Sequence, residues 1–176
     1  KGLEIERHLT AIQDVIRKMV GLTNQLLTFA RGGAPVKKAV SLAKLIEETS
    51  GFALRGSRSG CELSLAGDLW LVEADEGQIS QVLSNLVINA NEAMPAGGAI
   101  KIAAENARVK ARSLPPLRAG RYVKISVADS GQGIAAADLA RIFDPYFTTK
   151  QRGNGLGLTT CHSIITRHGG HISVAS

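Results

Sequence analysis

Apolar residues in the first part of the chain recur at alternating intervals of four and three residues. This spacing is typical of the seam along a helix that packs against other long helices. The segment 31–35, Arg-Gly-Gly-Ala-Pro, ends that helix because glycine suits the position after a helix and proline cannot continue one. We therefore predict a long bundle-forming helix over residues 3–30 and a domain boundary after Gly33. The seam consists of Ile5, Leu9, Ile12, Ile16, Met19, Thr23, Leu26 and Ala30.

After this boundary the chain alternates between helical and extended patterns. A helical pattern begins near Ser41, a residue suited to an N-cap, and extended patterns follow at 62–65 and 69–74. Asp75 and Gln78 then have the spacing of a capping box, which predicts the start of a longer helix. One face of that helix is apolar. It carries Ile79, Val82, Leu83, Leu86, Val87, Ala90 and Met94.

Period-two alternation predicts two further strands. The first contains Ile100 and Ile102, and the second covers residues 121–129. Asp129 has the same parity as the apolar residues of the second strand, so the alternation directs this carboxylate toward the core. Those apolar residues are Val123, Ile125 and Val127.

The rest of the pattern contains a short helix that ends near Phe143, a final helix that opens over 153–158, and a strand over 171–175. Helices near 45, 85, 138 and 162 and strands near 62, 70, 100, 125 and 173 predict an α+β fold. The expected architecture is a two-layer α/β sandwich, with helices on one face of a mixed sheet.

Composition narrows the class of protein. Hydrophobic residues make up 44% of the 176 residues and aromatic residues only 4%, which predicts a globular domain with an aliphatic core. No apolar run approaches the ~20 residues that span a bilayer, so we expect a cytoplasmic domain. This expectation is compatible with a membrane anchor elsewhere in the full-length protein. Cys61 and Cys161 lack metal-site spacing, which predicts buried free thiols. The net charge of +6 comes from scattered residues, which does not favour nucleic-acid binding.

The polar face of the longer helix carries amides where a solvated helix would normally carry lysine and glutamate. Its members occur at spacings of three and four: Gln78, Gln81, Asn85, Asn89 and Glu92. The amide oxygens of Asn85 and Asn89 can complete a Mg²⁺ shell made mostly of water and phosphate oxygens. An asparagine pair is also compatible with a solvated helix face, so this signal taken alone leaves both interpretations open.

Two glycine-rich segments have a chemistry that complements these amides. Asp129 precedes Gly131-x-Gly133. A carboxylate there can accept a hydrogen bond from an exocyclic amine, and the glycines let the backbone approach a flat ring. An ordinary turn has the same composition, so both interpretations stay open. The segment 153–158 contains GxGxG at a predicted helix start, where free N–H groups and the helix dipole hold phosphates. Lys150 precedes it and can reach a terminal phosphate.

Taken in order, four segments resemble the N, first glycine, F and second glycine boxes of sensor histidine kinases. They are Asn-Leu-Val-Ile-Asn-Ala at 85–90, Asp-Ser-Gly-Gln-Gly at 129–133, Phe-Asp-Pro-Tyr-Phe at 143–147 and Gly-Asn-Gly-Leu-Gly-Leu at 153–158. The resemblance is to nitrogen-regulation-like and PAS-linked kinases, within the superfamily of gyrase, Hsp90, histidine kinases and MutL. Residues 3–33 resemble the second helix of the family's dimerisation and phosphoacceptor hairpin.

The resemblance implies a Bergerat-type ATP-binding fold over residues 34–176, with ATP and Mg²⁺ as cofactors. It implies that Asn89 ligates the metal, that Asn85 helps to hold metal and phosphates, and that Asp129 accepts from the adenine amino group. The segment 143–153 corresponds to the lid over the nucleotide. The full set of implied ATP-binding residues is Asn85, Asn89, Glu92, Asp129, Gly131, Gly133, Ile134, Thr149, Lys150, Gly153, Gly155, Leu156, Gly157 and Leu158.

The residue at position 85 favours phosphotransfer over hydrolysis. ATPases of the superfamily carry a glutamate four residues before the metal-binding asparagine, whereas this chain has Asn85, whose carboxamide cannot accept a proton from water. We therefore expect a protein-histidine kinase rather than an ATPase. A nucleotide-gated interaction module without chemistry is the third alternative.

The family resemblance also implies which parts of a kinase lie elsewhere. His8 is not followed by the family's phosphoacceptor motif, so we expect the acceptor histidine on an upstream helix outside this chain. We expect the ATP-binding domain to be truncated at its C-terminus as well. The implied partners are a response-regulator receiver domain, the upstream phosphoacceptor helix, and a second copy of the chain through residues 3–30.

Overall fold

The computed structural model describes residues 34–110, 116–150 and 153–176, and the helix predicted over residues 3–30 lies outside these ranges. Helices and strands are interspersed along the described residues, as the hydrophobic pattern predicts. No helix in these ranges is both long and apolar enough to span a membrane. The elements are β1 Lys38–Val40, α1 Leu42–Ala53, β2 Gly60–Leu65, β3 Val72–Ala74, α2 Glu76–Ala93, β4 Ala99–Val109, β5 Gly120–Ala128 and α3 Gly157–Arg167.

Three strands form the main sheet, in the order β2-β4-β5. Strand β2 is parallel to β4, with Gly60 opposite Ala99, and β4 is antiparallel to β5, with Lys101 opposite Ala128. The sheet is therefore mixed, as predicted. Strands β1 and β3 form a separate antiparallel pair.

The helices cover one face of the main sheet. Ile100 and Ile102 of β4 are 0% and 1% exposed and belong to one core cluster with residues of all three helices, whereas the intervening Lys101 is exposed. This alternation confirms the two-layer α+β sandwich, because only one face of the sheet can bury apolar side chains against helices. Cys161 of α3 is buried in this core as predicted, but Cys61 on strand β2 is exposed.

The predicted capping box at the start of α2 is half formed. The Asp75 side chain accepts a hydrogen bond from the Gln78 backbone N–H at 3.1 Å, but the Gln78 side chain does not return the bond. The Asp75 backbone N–H instead donates to Nε2 of His168 at 3.0 Å. A long-range partner has replaced the local one, and it joins the start of α2 to the residue that caps the end of α3.

Two sequence predictions about elements are wrong. The short helix before Phe143 is a series of turns, since Asp138 and Arg141 donate backbone hydrogen bonds three residues back rather than four. The strand predicted over 171–175 does not form. Alternating side chains alone do not make a strand, because its backbone N–H and C=O groups must pair with a neighbouring strand. The last helix begins at Gly157, inside the opening predicted over 153–158.

Candidate nucleotide-binding site

Helix α2 brings three widely separated segments together along one face. Asn85, Asn89 and Ala93 follow one another at intervals of four, so their side chains lie one above the other. Asn85 Nδ2 donates to the Gly157 carbonyl oxygen at 3.3 Å, and Asn89 Oδ1 accepts from Lys150 Nζ at 3.1 Å. The next turn of α2 meets the first glycine segment: a Cβ on Gly131 would lie 2.6 Å from the Ala93 Cβ.

Lys150 lies over the polar face of α2. Its ammonium group donates to Asn89 Oδ1 and also to Glu92 Oε2, the latter at 2.6 Å. The backbone of this loop is shaped by Thr148, whose Oγ1 accepts from the Lys150 N–H at 3.1 Å, whereas Thr149, the predicted phosphate ligand, is exposed. One cationic group and two oxygen ligands therefore face the same space.

The second glycine segment approaches the loop that contains Tyr146. Gly155 has φ of +65°, its carbonyl oxygen accepts from the Tyr146 N–H at 3.0 Å, and a Cβ on it would overlap the Tyr146 backbone. Gly153 is less restricted, since a Cβ there would meet the side chain of Thr148 rather than backbone atoms. Gly157 is the point where this segment touches α2: its Cα hydrogen faces the Asn85 and Asn89 amides.

The start of α3 differs from the start of α2. The N-cap of α3 is Leu156, which has no side-chain hydrogen bond to offer, whereas α2 is capped by the Asp75 carboxylate. Asn154 Oδ1 accepts from the Leu156 N–H at 3.2 Å, and Leu158 is half-buried in the first turn. The first backbone N–H groups of α3 thus lack a side-chain cap, which suits a helix terminus that holds an anion.

The first glycine segment contains the clearest correction to the sequence analysis. Strand β5 ends at Ala128, so the alternation no longer determines the direction of Asp129, which is exposed rather than turned toward the core. Its Oδ1 accepts from the Gly131 N–H at 2.9 Å, as in an ordinary Asp-Ser-Gly turn. Gly133 has φ of +71°, and the half-buried Ile134 donates its N–H to Ser176 Oγ at 2.7 Å.

Comparisons with known proteins agree with this arrangement. Residues 74–176 match the family described as "Histidine kinase-, DNA gyrase B-, and HSP90-like ATPase". The chain belongs to this family. All of α2 and both glycine segments lie inside the matched residues.

Within the family, the chain is similar to histidine kinases. It is 37% identical over 171 residues to sensor kinase CckA of Brucella abortus, a match that covers 92% of this chain and 18% of CckA. The catalytic domain of histidine kinase ThkA is 35% identical with a TM-score of 0.62, over 75% of this chain and 81% of that domain. Full-length ShkA in complex with AMPPNP is 26% identical with a TM-score of 0.67, over 92% of this chain and 34% of ShkA. The chain spans less than a third of the curated relatives that it matches.

Beneath this family's site lies a neutral, buried thiol. Cys161 is 0% exposed, and burial raises the pKa of its thiol to about 12, although a hydrogen bond with Asn85 acts in the opposite direction. The thiol therefore stays protonated at neutral pH and lies 3.8 Å from the Val82 carbonyl oxygen. It therefore adds no negative charge beside Asn85.

The oxygen atoms on this face of α2 suit a metal ion whose other ligands are water and phosphate oxygens. Among the described residues there is no group of three His, Cys, Asp or Glu side chains that could hold an ion alone. Asn89 Oδ1 already accepts a positively charged group, and Asn89 and Glu92 offer an amide and a carboxylate oxygen on one helix face. These are the hard oxygen ligands that Mg²⁺ takes together with water and phosphate.

Sequence analysis missed two residues that shape the site. Ala93 lets Gly131 approach α2, and its signal is that it continues the four-residue spacing of Asn85 and Asn89. Tyr146 has φ of +65° although it is not glycine, and no sequence pattern predicted this backbone conformation. A depression of about 310 Å³ lies between Ser64 and Ser126, on the face of the sheet opposite the described helices.

Proposed function

We propose that this chain is the ATP-binding catalytic part of a two-component sensor histidine kinase, and that it transfers the γ-phosphoryl group of Mg-ATP to a histidine outside the chain. The observation that carries this proposal is the convergence of Asn89, Lys150 and the start of α3 on one face of α2. Phosphoryl transfer requires mainly alignment and charge neutralisation, and these groups supply both. The structural relative ShkA was solved in complex with AMPPNP, which supports nucleotide binding by this chain.

In this proposal, the roles of the remaining residues follow from their positions. Asn89 and the metal hold the phosphates together with Lys150, Asn85 and the N–H groups of 155–158. Asp129 accepts from the adenine amino group, and Gly131, Gly133 and Ile134 lie beside the ring. When bound, Mg²⁺ supplies neutralisation of the phosphate charge.

The side chains near Asn89 favour transfer over hydrolysis. Asn85 has a neutral carboxamide side chain, and its Nδ2 donates to the Gly157 carbonyl oxygen. This side chain cannot accept a proton from water. Glu92 is the carboxylate on the same helix face, but it forms an ion pair with Lys150 at 2.6 Å. The Glu92 carboxylate is therefore occupied by an ammonium group, and neither residue is arranged to activate water.

Two of the three histidines of the described residues are engaged elsewhere, and His171 lies exposed after α3. His168 Nε2 accepts from the Asp75 N–H, and its Nδ1 lies 2.8 Å from the Ile164 carbonyl oxygen. The His162 ring packs against Phe143 with centroids 5.4 Å apart. We therefore propose an acceptor on a separate helix, a response-regulator aspartate as the next recipient, pairing of two chains through residues 3–30, and a cytoplasmic location.

Incubation with γ-labelled Mg-ATP tests the proposed function. The chain is incubated alone and with a longer form of the same protein that contains the preceding helix. We expect label on a histidine of the longer form, as an acid-labile phosphoramidate, and slow release of phosphate by the chain alone. Rapid phosphate release without labelled protein would instead identify an ATPase, and nucleotide binding with neither reaction would identify an interaction module.

Replacement of Asp129 with asparagine is expected to weaken ATP binding about 30-fold, the scale of one charge-assisted hydrogen bond. Asparagine can still accept from the Gly131 N–H through its oxygen, so the unfolding midpoint is expected to stay the same. Calorimetry with an ATP analogue and urea unfolding measure the two effects. Asp68→Asn is the matched control, because Asp68 is exposed and lies in the turn after β2, at the opposite end of the sheet. Unchanged affinity in Asp129→Asn would refute the adenine role.

A further inference from the structure

We propose that the Lys150 ammonium group competes with a divalent cation for Asn89 Oδ1, so that the lysine keeps free Mg²⁺ off the site until a nucleotide arrives. This inference rests on the proposed function, since it concerns the order in which the ligands of that site are exchanged. It assigns to Lys150 a task besides contact with phosphate, and to Glu92 the task of positioning Lys150.

The competition follows from the use of one oxygen atom. Asn89 has a single acceptor oxygen in its side chain, and Lys150 Nζ lies 3.1 Å from it. A Mg²⁺ ion on the same oxygen would lie about 2.1 Å away, so the two cations would be at most about 5 Å apart. Like charges at this distance repel, so the ammonium group lowers the affinity of this oxygen for a second cation.

Glu92 determines where the lysine remains when no phosphate is present. Asn89 and Glu92 are three residues apart in α2 and present their oxygens on one face. Lys150 Nζ bridges these two oxygens, at 3.1 Å and 2.6 Å. The carboxylate therefore holds the ammonium group against Asn89 rather than leaving it in solvent.

The bridge is weak enough to be exchanged. The side chains of Lys150 and Glu92 are 35% and 52% exposed, and ion pairs with this exposure are weak because water screens them. A triphosphate brings negative charge that attracts both the lysine and the metal, so Lys150 can leave Asn89 for a phosphate oxygen while the metal takes its place. Free Mg²⁺ offers the lysine no such new partner.

Binding of free Mn²⁺ to the full 176-residue chain tests the competition. The electron paramagnetic resonance signal of unbound Mn²⁺ measures how much of the ion has bound. Lys150→Met is expected to raise the Mn²⁺ association constant about threefold or more, because Asn89 Oδ1 becomes available. Lys150→Arg keeps the positive charge and is expected to bind like the wild type. Lys124→Met is the matched control, since Lys124 also pairs with a glutamate, Glu105, on the exposed face of the sheet.

Asn89→Ala in the Lys150→Met background is expected to remove the gain, which places the ion at Asn89. The proposal is overturned if Lys150→Met binds Mn²⁺ no tighter than the wild type or than Lys124→Met, or if the gain survives the loss of Asn89. Calorimetry of an ATP analogue with Mg²⁺ on the wild-type chain is run in parallel. Absence of binding there refutes the proposed function, whereas the Mn²⁺ comparison decides the competition by itself.

Discussion

Replacement of Gly155 with alanine is expected to reduce ATP affinity about 100-fold or more, which corresponds to about 2.7 kcal/mol. A Cβ at this position would lie 2.6 Å from the Tyr146 carbonyl oxygen and 2.7 Å from the Phe147 backbone nitrogen. The backbone φ of +65° adds a cost of about 1–2 kcal/mol for any residue with a Cβ. The chain must therefore separate the second glycine segment from the loop at Tyr146, and the N–H groups ahead of α3 lose their position.

Calorimetry with an ATP analogue measures the affinity of Gly155→Ala, and urea unfolding measures its stability. The buried core cluster does not include residues of this loop, so the loss of affinity is expected to exceed the loss of stability. Gly51→Ala is the matched control, because Gly51 lies in α1 and a Cβ there would meet nothing within 4 Å. If Gly155→Ala binds ATP like the wild type, the segment does not hold the phosphates.

Asn89→Ala is expected to abolish the effect of Mg²⁺ on ATP affinity and to slow phosphotransfer about 1,000-fold, the scale of one charge-neutralising group in phosphoryl transfer. The variant removes both the proposed metal ligand and the acceptor for Lys150 Nζ. The lysine retains Glu92 as a partner, so some nucleotide affinity is expected to remain. Affinities measured with Mg²⁺ and with a chelator should then become equal.

Asn91→Ala is the control on the same helix. Asn91 Oδ1 accepts from Ser57 Oγ at 2.6 Å and has no contact with Lys150, so this variant should lose a little stability while Mg²⁺ still increases ATP affinity. If Asn89→Ala responds to Mg²⁺ as strongly as Asn91→Ala does, then Asn89 is not a metal ligand.

The two glycine segments show why α2 carries so much of the site. Gly157 meets this helix at Asn85 and Asn89, and Gly131 meets it one turn later at Ala93. A change in the orientation of α2 would move both contacts, because they lie on the same stripe of one rigid helix. The bond from the Asp75 N–H to His168 holds the start of α2 to the residue after α3 and thereby stabilises this arrangement.

The sequence by itself was sufficient for whatever depends on local periodicity. Helical geometry places Asn85 and Asn89 on one face, and period-two alternation predicted the strand that contains Ile100 and Ile102, and the structure confirms both elements. The order of the four boxes also identified the family before any contact was known. These features depend on residues a few positions apart, for which the backbone geometry is the same in every protein.

Only the tertiary structure decided which distant groups meet. Lys150 reaches Asn89 across 61 residues, and His168 replaces the local capping partner of Asp75 across 93 residues. Asp129 became exposed because β5 ends one residue before it, and a strand ends where its neighbour stops pairing. Such outcomes depend on the packing of loops and strand edges, which local spacing does not determine.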